Sequence, residues 1–179
     1  MKTELDEKLC KDHPKIFANR NGDMQTTAMC WGFECGDGWY DIINNLCYVI
    51  QNHIDSHNKK RERAIKYNEM VKTAQVGDFT LFDEYYDYCA DNSEWLDKRK
   101  KTIPTDKLLE IEEEMPQVVA EQVKEKFGTL RFYTNGTDDY ISGAISMAEY
   151  MSANICEVCG KPGRTNVTGW LEVRCSEHE

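Results

Sequence analysis

The sequence predicts an α+β protein: a long amphipathic N-terminal helix packed with a small strand and helix core and a C-terminal zinc-knuckle hairpin. Three observations predict it. Apolar residues recur at spacings of three and four from Trp39 to Ile54, the signature of one buried helical stripe. Thr129 to Tyr133 alternates as a strand does, close to the turn-forming pair Asn135-Gly136. Cys156-x2-Cys159 and Cys175-x2-His178 carry the ligand types and spacing of a zinc site. A chain of 179 residues is long enough to bury one adequate core. We expect residues 1–155 to form that core, with an acidic inserted segment at about 76–116. Residues 156–179 then form a zinc-binding tail packed on it.

Taken in order, residues 1–36 read as an irregular entry with Pro14 and the turn-like Asn21-Gly22-Asp23. Asp37 or Gly38 opens the long helix, whose stripe is Trp39, Ile42, Ile43, Leu46, Val49, Ile50 and Ile54. The helix continues into the charged Lys59–Arg63 run, which suits its solvent-facing C-terminal half. From Asp83 to Asp97 six acids (Asp83, Glu84, Asp87, Asp91, Glu94 and Asp97) stand among aromatic residues with no basic residue between them. Lys98–Lys101 then reverses the sign, Pro104 breaks the chain and Glu110–Glu114 restores the negative charge. Val118 to Phe127 fits helix or strand and ends at Gly128. Asp138 or Asp139 caps a last helix with apolar positions at Ile141, Ile145, Ala148, Met151 and Ile155.

Composition narrows the function. The formal charge is −10, from 32 acidic and 22 basic side chains, which argues against a general phosphate-backbone binder. No apolar run approaches the roughly 20 residues that span a bilayer. The first residues, Met1-Lys2-Thr3-Glu4, lack the apolar stretch of an export signal. We therefore expect a cytoplasmic protein with no membrane role. Its eight cysteines then stay reduced, and either pack as small hydrophobes or hold metal.

The strongest chemical signal is the tail. Two residues between ligands let a tight knuckle aim both at one point, and the 15 residues from Gly160 to Arg174 can form the returning hairpin. Cys156, Cys159, Cys175 and His178 make a closed set of three thiolates and one imidazole, the structural form of zinc. A 24-residue tail cannot bury a core of its own, and metal binding of ~10–16 kcal/mol would fold it. Cys10, His13, Cys30 and Cys35 repeat the ligand types with irregular spacing. They are either a second zinc site or packed and surface residues. His53 and His57, at i and i+4, could share a metal, but Ile54 stands where a zinc protease needs Glu. Asp37 and Asp41 near Trp39 could be paired carboxylates, or acids favoured at a helix start. No nucleophile elbow, phosphate loop or dinucleotide fingerprint is present, and the sequence names no enzyme.

Three blocks together resemble a family of small bacteriophage- and prophage-encoded proteins with a C-terminal zinc-knuckle motif. They are Trp31-Gly32-Phe33-Glu34-Cys35-Gly36-Asp37-Gly38-Trp39-Tyr40, Gln122 to Tyr133 (QVKEKFGTLRFY), and Cys156-Glu157-Val158-Cys159-Gly160. The resemblance covers about residues 25–55 and 117–179 and leaves the acidic middle, about 58–116, outside it. It brings no catalytic residue. It implies an accessory phage gene acting in the bacterial host cytoplasm. With the acids of Asp83–Asp97, which can occupy a groove built for phosphates, it leads us to expect an inhibitor or modulator. Its target would be a host protein or ribonucleoprotein, such as a defence nuclease or CRISPR-type complex. Two alternatives stand beside it. One is a nucleic-acid-binding regulator using the zinc tail, with Lys161, Arg164, Arg174 and the runs Lys59–Arg63 and Lys98–Lys101. The other is a metal-dependent hydrolase using Asp37, His53 or His57.

Overall fold

The computed structural model describes residues 1–166 and 169–179. Val167 and Thr168, within the stretch expected to form the tail hairpin, lie outside the described residues. The chain forms two compact units: residues 1–54 with 116–179, and residues 55–115. The fold is α+β, as the apolar periodicities require. No helix of the described residues is long and apolar enough to cross a membrane.

The helix nearest the N-terminus is short. α1, Thr3–Asp12, occupies part of the stretch expected to be irregular. It forms because Leu5 and Leu9 share a face, with Leu9 fully buried. Its Asp6 is also buried and accepts two hydrogen bonds from the Arg20 guanidinium, both of 2.9 Å. The long helix is central rather than N-terminal. A single 3-10 turn, Asp37–Trp39, leads into α2, Tyr40–Gln75, which passes through both units and outruns the Lys59–Arg63 run by three turns. A second apolar stripe, Tyr67, Met70, Val71 and Ala74, explains the extension.

In the first unit Trp39, Ile43 and Ile50 are completely buried, with Ile42, Leu46 and Ile54 nearly so. A three-stranded sheet completes this core. β1, Phe33–Glu34, pairs parallel with β2, Ala120–Lys126, which pairs antiparallel with β3, Thr129–Thr134. The hairpin turns at Phe127-Gly128, both with positive φ (55° and 77°). That pair of left-handed residues matches the twist of the strands, and Phe127 tolerates it with its ring exposed. Phe17 packs edge-on to Phe33 and Phe132, tying the entry segment to the sheet.

α5, Asp139–Ser152, covers the outer edge of β3. Ser152, fully buried, accepts from the Leu130 N–H at 2.8 Å, and the Glu149 carboxylate accepts from Phe132 N–H at 3.0 Å. Side chains thus satisfy strand donors that would otherwise form an open edge. Asp138 caps α5 by accepting the Ile141 N–H at 2.8 Å.

The second unit contains the rest of α2, α3 (Thr80–Tyr85) and α4 (Ser93–Thr102). Phe82, Tyr86 and Ile103 close over Met70, Val71 and Ala74. The chain then returns along α2 as an extended strap. Asn58 exchanges two hydrogen bonds with the backbone of Met115, and Asn68 does the same with Leu109, all between 2.7 and 2.9 Å. An amide side chain offers the same donor and acceptor pair as a neighbouring strand.

Two substitutions test this packing. Ile50→Ala should cost about 2–5 kcal/mol in denaturant melts; a change of a few tenths would place Ile50 at the surface. Asp138→Ala should cost about 0.5–2 kcal/mol through the lost cap. Burial pushes the Asp138 carboxyl up, but the Ile141 N–H and His53 outweigh it and hold it below its ordinary value. The wild type should therefore lose this contribution as pH falls below about 4, and Asp138→Ala should show a smaller acid loss.

Candidate metal centre

Cys156, Cys159, Cys175 and His178 converge, with one ligand atom from each lying within 4.8 Å of all the others. A bond from Gly160 N–H to the Cys156 carbonyl (2.9 Å) closes the first knuckle, and His178 N–H to the Cys175 carbonyl (2.9 Å) closes the second pair. β4, Arg164–Asn166, pairs antiparallel with β5, Glu172–Arg174, and brings the pairs together.

The geometry fits a tetrahedral ion. Thiolate bonds of about 2.3 Å and an imidazole bond of about 2.0–2.1 Å put two sulfurs about 3.8 Å apart and sulfur about 3.6 Å from nitrogen. The Cys159 and Cys175 sulfurs are 3.6 Å apart, and His178 Nδ1 is 3.7 Å from Cys156 Sγ and 3.2 Å from Cys175 Sγ. A sulfur separation of 3.6 Å is far beyond a disulfide bond, and all eight cysteines are free. Burial pushes the Cys156 thiol up, yet the N–H groups of Cys159, Cys175 and Val158 more than offset this and bring it down to about 6. The knuckle backbone is built around a thiolate, the form that binds metal. At Cys159 the Lys161 N–H pulls down, while burial and the thiols of Cys175 and Cys156 prevail and raise it. Without a cation the second sulfur resists ionising beside the first.

What holds the knuckle in place is the Gly36-Asp37-Gly38 segment. Gly38 N–H donates to the Glu157 carbonyl at 2.7 Å, Gly36 N–H to the Glu157 carboxylate at 2.8 Å, and the buried Trp39 indole to the Ile155 carbonyl at 2.9 Å. A Cβ on Gly38 would lie 2.1 Å from the Cys156 carbonyl oxygen, and one on Gly36 would lie 2.3 Å from that of Glu157. Only glycine lets the two backbones approach this closely. Glu157 also meets Arg174 at 3.3 Å, so one side chain ties the knuckle to both the glycine segment and the hairpin.

The other expected ligands do not gather. Among the described residues, Cys10, His13, Cys30 and Cys35 form no such cluster. Cys10 lies 3.6 Å from an Asp6 oxygen, His13 Nε2 meets Asn44 at 2.8 Å, and Cys30 donates to the Thr27 carbonyl. Cys35 is buried, which pushes its thiol up to about 12. These positions are spent on packing and local bonds. His53 contacts Asp138 at 2.7 Å and stacks on Tyr140, while His57 bonds the Glu113 carbonyl at 2.9 Å. Asp37 accepts from the Lys2 backbone at 2.7 Å and pairs with its ammonium at 3.0 Å; Asp41 is exposed. No convergence of these four groups appears among the described residues. In the tail, Lys161 pairs with Glu177 and Arg174 with Glu157 and Glu172.

Sequence reasoning missed the glycine segment and the two asparagine clamps. The signal for the first was two glycines flanking one acid immediately before a buried Trp. Compared with family models, curated proteins and solved structures, the chain matches none of them.

Gly38→Ala should destabilise the first unit by at least about 1–3 kcal/mol and lower metal retention, because backbone must move to admit the methyl. Gly143→Ala on α5, where an added Cβ meets nothing within 4 Å, should instead stabilise by up to about 1 kcal/mol. Equal melting curves for the two variants would refute the close approach.

Proposed function

We propose that this is a zinc-stapled acidic protein of phage or prophage origin that binds and modulates a host bacterial protein or ribonucleoprotein. A defence nuclease or CRISPR-type complex fits that description. The observation that carries the reading is the surface of the second unit. Asp83, Glu84, Asp87, Asp91, Glu94 and Asp97 are all exposed, with Tyr88 and Trp95 exposed among them. Lys100 pairs with Asp83 and Lys98 with Glu94, while the other four carboxylates have no ion pair among the described residues. Spaced anions with interleaved rings suit a basic site that otherwise receives nucleic-acid phosphates. The resemblance of the three blocks supplies the bacterial cytoplasm as the setting. Closed ligation by three thiolates and one imidazole leaves no open position, which supports zinc in a structural role and not a hydrolytic one. Of the tail cations, Lys161 and Arg174 are engaged with neighbouring carboxylates, which weighs against phosphate binding by those two side chains.

Two measurements check this. Plasma emission spectrometry on protein purified without chelator should find close to one zinc per chain, lost in Cys175→Ser; no metal, or another metal, would refute the staple. Reversing Asp87, Asp91 and Glu94 to Lys should abolish recovery of the host partner from infected cells by the tagged protein. Zinc content and melting temperature should stay nearly unchanged, since exposed charges contribute little to stability. Added salt should weaken the wild-type complex mainly by slowing association. Equal recovery by both proteins would remove the acidic surface from consideration.

A further inference from the structure

The first unit contains an apolar groove of about 790 Å³ between α2 and α5, which no part of the reading above uses. Leu46 and Val49 line it from α2, and Ala144, Met147 and Met151 from α5. Met147 is 65% exposed and Met151 43%, an open methionine-rich surface of the kind that adapts to helical ligands. The two helices run antiparallel here. His53 of α2 meets Asp138 and Tyr140 at the start of α5, while Trp39 before α2 bonds Ile155 beyond its end. Asp41 and Asp139, each in the first turn of its helix, therefore stand at opposite ends of the groove. Both are exposed, and no lysine or arginine lines the groove.

We propose that this groove binds an amphipathic helix of a partner protein, with an apolar stripe along its length and Lys or Arg at both ends. From Asp139 to Met151 the wall rises about 18 Å, room for about three turns of ligand helix. Charge decides the occupant. α5 itself carries no basic residue, so a second copy docked through the same face would bring its own Asp139 against like charge at Asp41 and Asp139. A fatty acid would set its carboxylate against one of them. Lysines at the ends of a helix complement both.

The test uses the full-length, metal-loaded protein and two fluorescein-labelled peptides of about 18 residues, long enough to populate helix. Both carry one leucine stripe at helical spacing; one ends in lysine pairs and the other in glutamate pairs. By fluorescence anisotropy the lysine-ended peptide should bind at least about tenfold more tightly. Gly143→Trp, built into open space, should weaken that binding at least about tenfold with a melting temperature no lower than the wild type's. The double change Asp41→Lys and Asp139→Lys should reverse the preference between peptides. Reversal of Asp87, Asp91 and Glu94 should leave binding intact, which separates this site from the acidic surface of the second unit. Equal affinity for the two peptides, indifference to Gly143→Trp, or loss in the triple reversal would overturn the proposal. So would a wild-type dimer in sedimentation that Gly143→Trp dissociates, or displacement of the peptide by dodecanoate at equimolar concentration.

Discussion

The first unit depends on a contact between two stretches of bare backbone. Gly36 and Gly38 sit against the carbonyls of Cys156 and Glu157 at distances no side chain survives, and Gly38 donates into that contact at 2.7 Å. A hydrogen bond of this kind contributes only about 0.5–1.5 kcal/mol net. Its larger effect is positional. It puts Trp39 beneath the knuckle, and so sets where α2 begins. It also pins the start of the metal loop beside β1, whose end at Glu34 leads directly into the same segment. A bound metal would then staple the tail to itself, while the glycines staple it to the core. Either alone would leave a short tail with few apolar side chains to hold it.

The second unit solves a different problem. The residues of α2 from Asp55 to Arg63 are polar on nearly every face, so apolar burial cannot fix what lies beside them. Asn58 and Asn68 do so instead, each presenting a donor and an acceptor to the backbone C=O and N–H of one residue of the strap. The spacing of ten residues is close to three helical turns, which keeps both amides on one side of α2. Arg61 and His57 add bonds to the strap carbonyls at Glu112 and Glu113. Further along, Arg99 and Tyr67 gather Asp106, and that carboxyl is held below its ordinary value first by the guanidinium and then by the phenol. The strap is thus ordered by directional polar bonds, and its acids remain in water.

What was legible in the sequence were the features with a period or a fixed spacing. The stripe from Trp39 to Ile54 gave a helix because its burial repeats every three or four residues, and the ligand pairs gave a cluster because two intervening residues suffice for a knuckle. The long helix was cut short because its second stripe, from Tyr67 to Ala74, starts after a polar interval and belongs to another core. α1 was missed because ten residues with one fully buried leucine show little periodicity, and its anchoring comes from Arg20 through Asp6. Gly128 marks the end of β2 in the sequence, but nothing local announces the positive φ that the register of β2 on β3 requires at Phe127. Pairings set by contacts far apart in the chain, such as Gly38 on the knuckle, leave no local pattern to read. Cys10, His13, Cys30 and Cys35 share ligand types without the spacing that aims them, and of the two readings open in the sequence the packed one describes them: Cys10, His13 and Cys30 meet nearby oxygen atoms and Cys35 is buried.

Charge placement links the two units more closely than their architectures do. A formal charge of −10 costs compactness through self-repulsion, and a protein can offset that by pairing its acids internally. Here the least exposed of the paired acids, Asp6, Asp37, Asp106 and Glu157, each sit at a structural junction. Among the described residues, most of the acids of α3 and α4 and of the turn between them have no ion pair, nor does the rim aspartate Asp41 of the apolar groove, and such exposed charges contribute little to stability. Acids left exposed in this way raise the local concentration of cations and accelerate encounter with basic surfaces. The same distribution opposes pairing of two copies through these acidic surfaces, where like charges would meet. A closed metal site would suit such a distribution, since Cys156, Cys159, Cys175 and His178 would hold the tail without using any of the carboxylates that face outward.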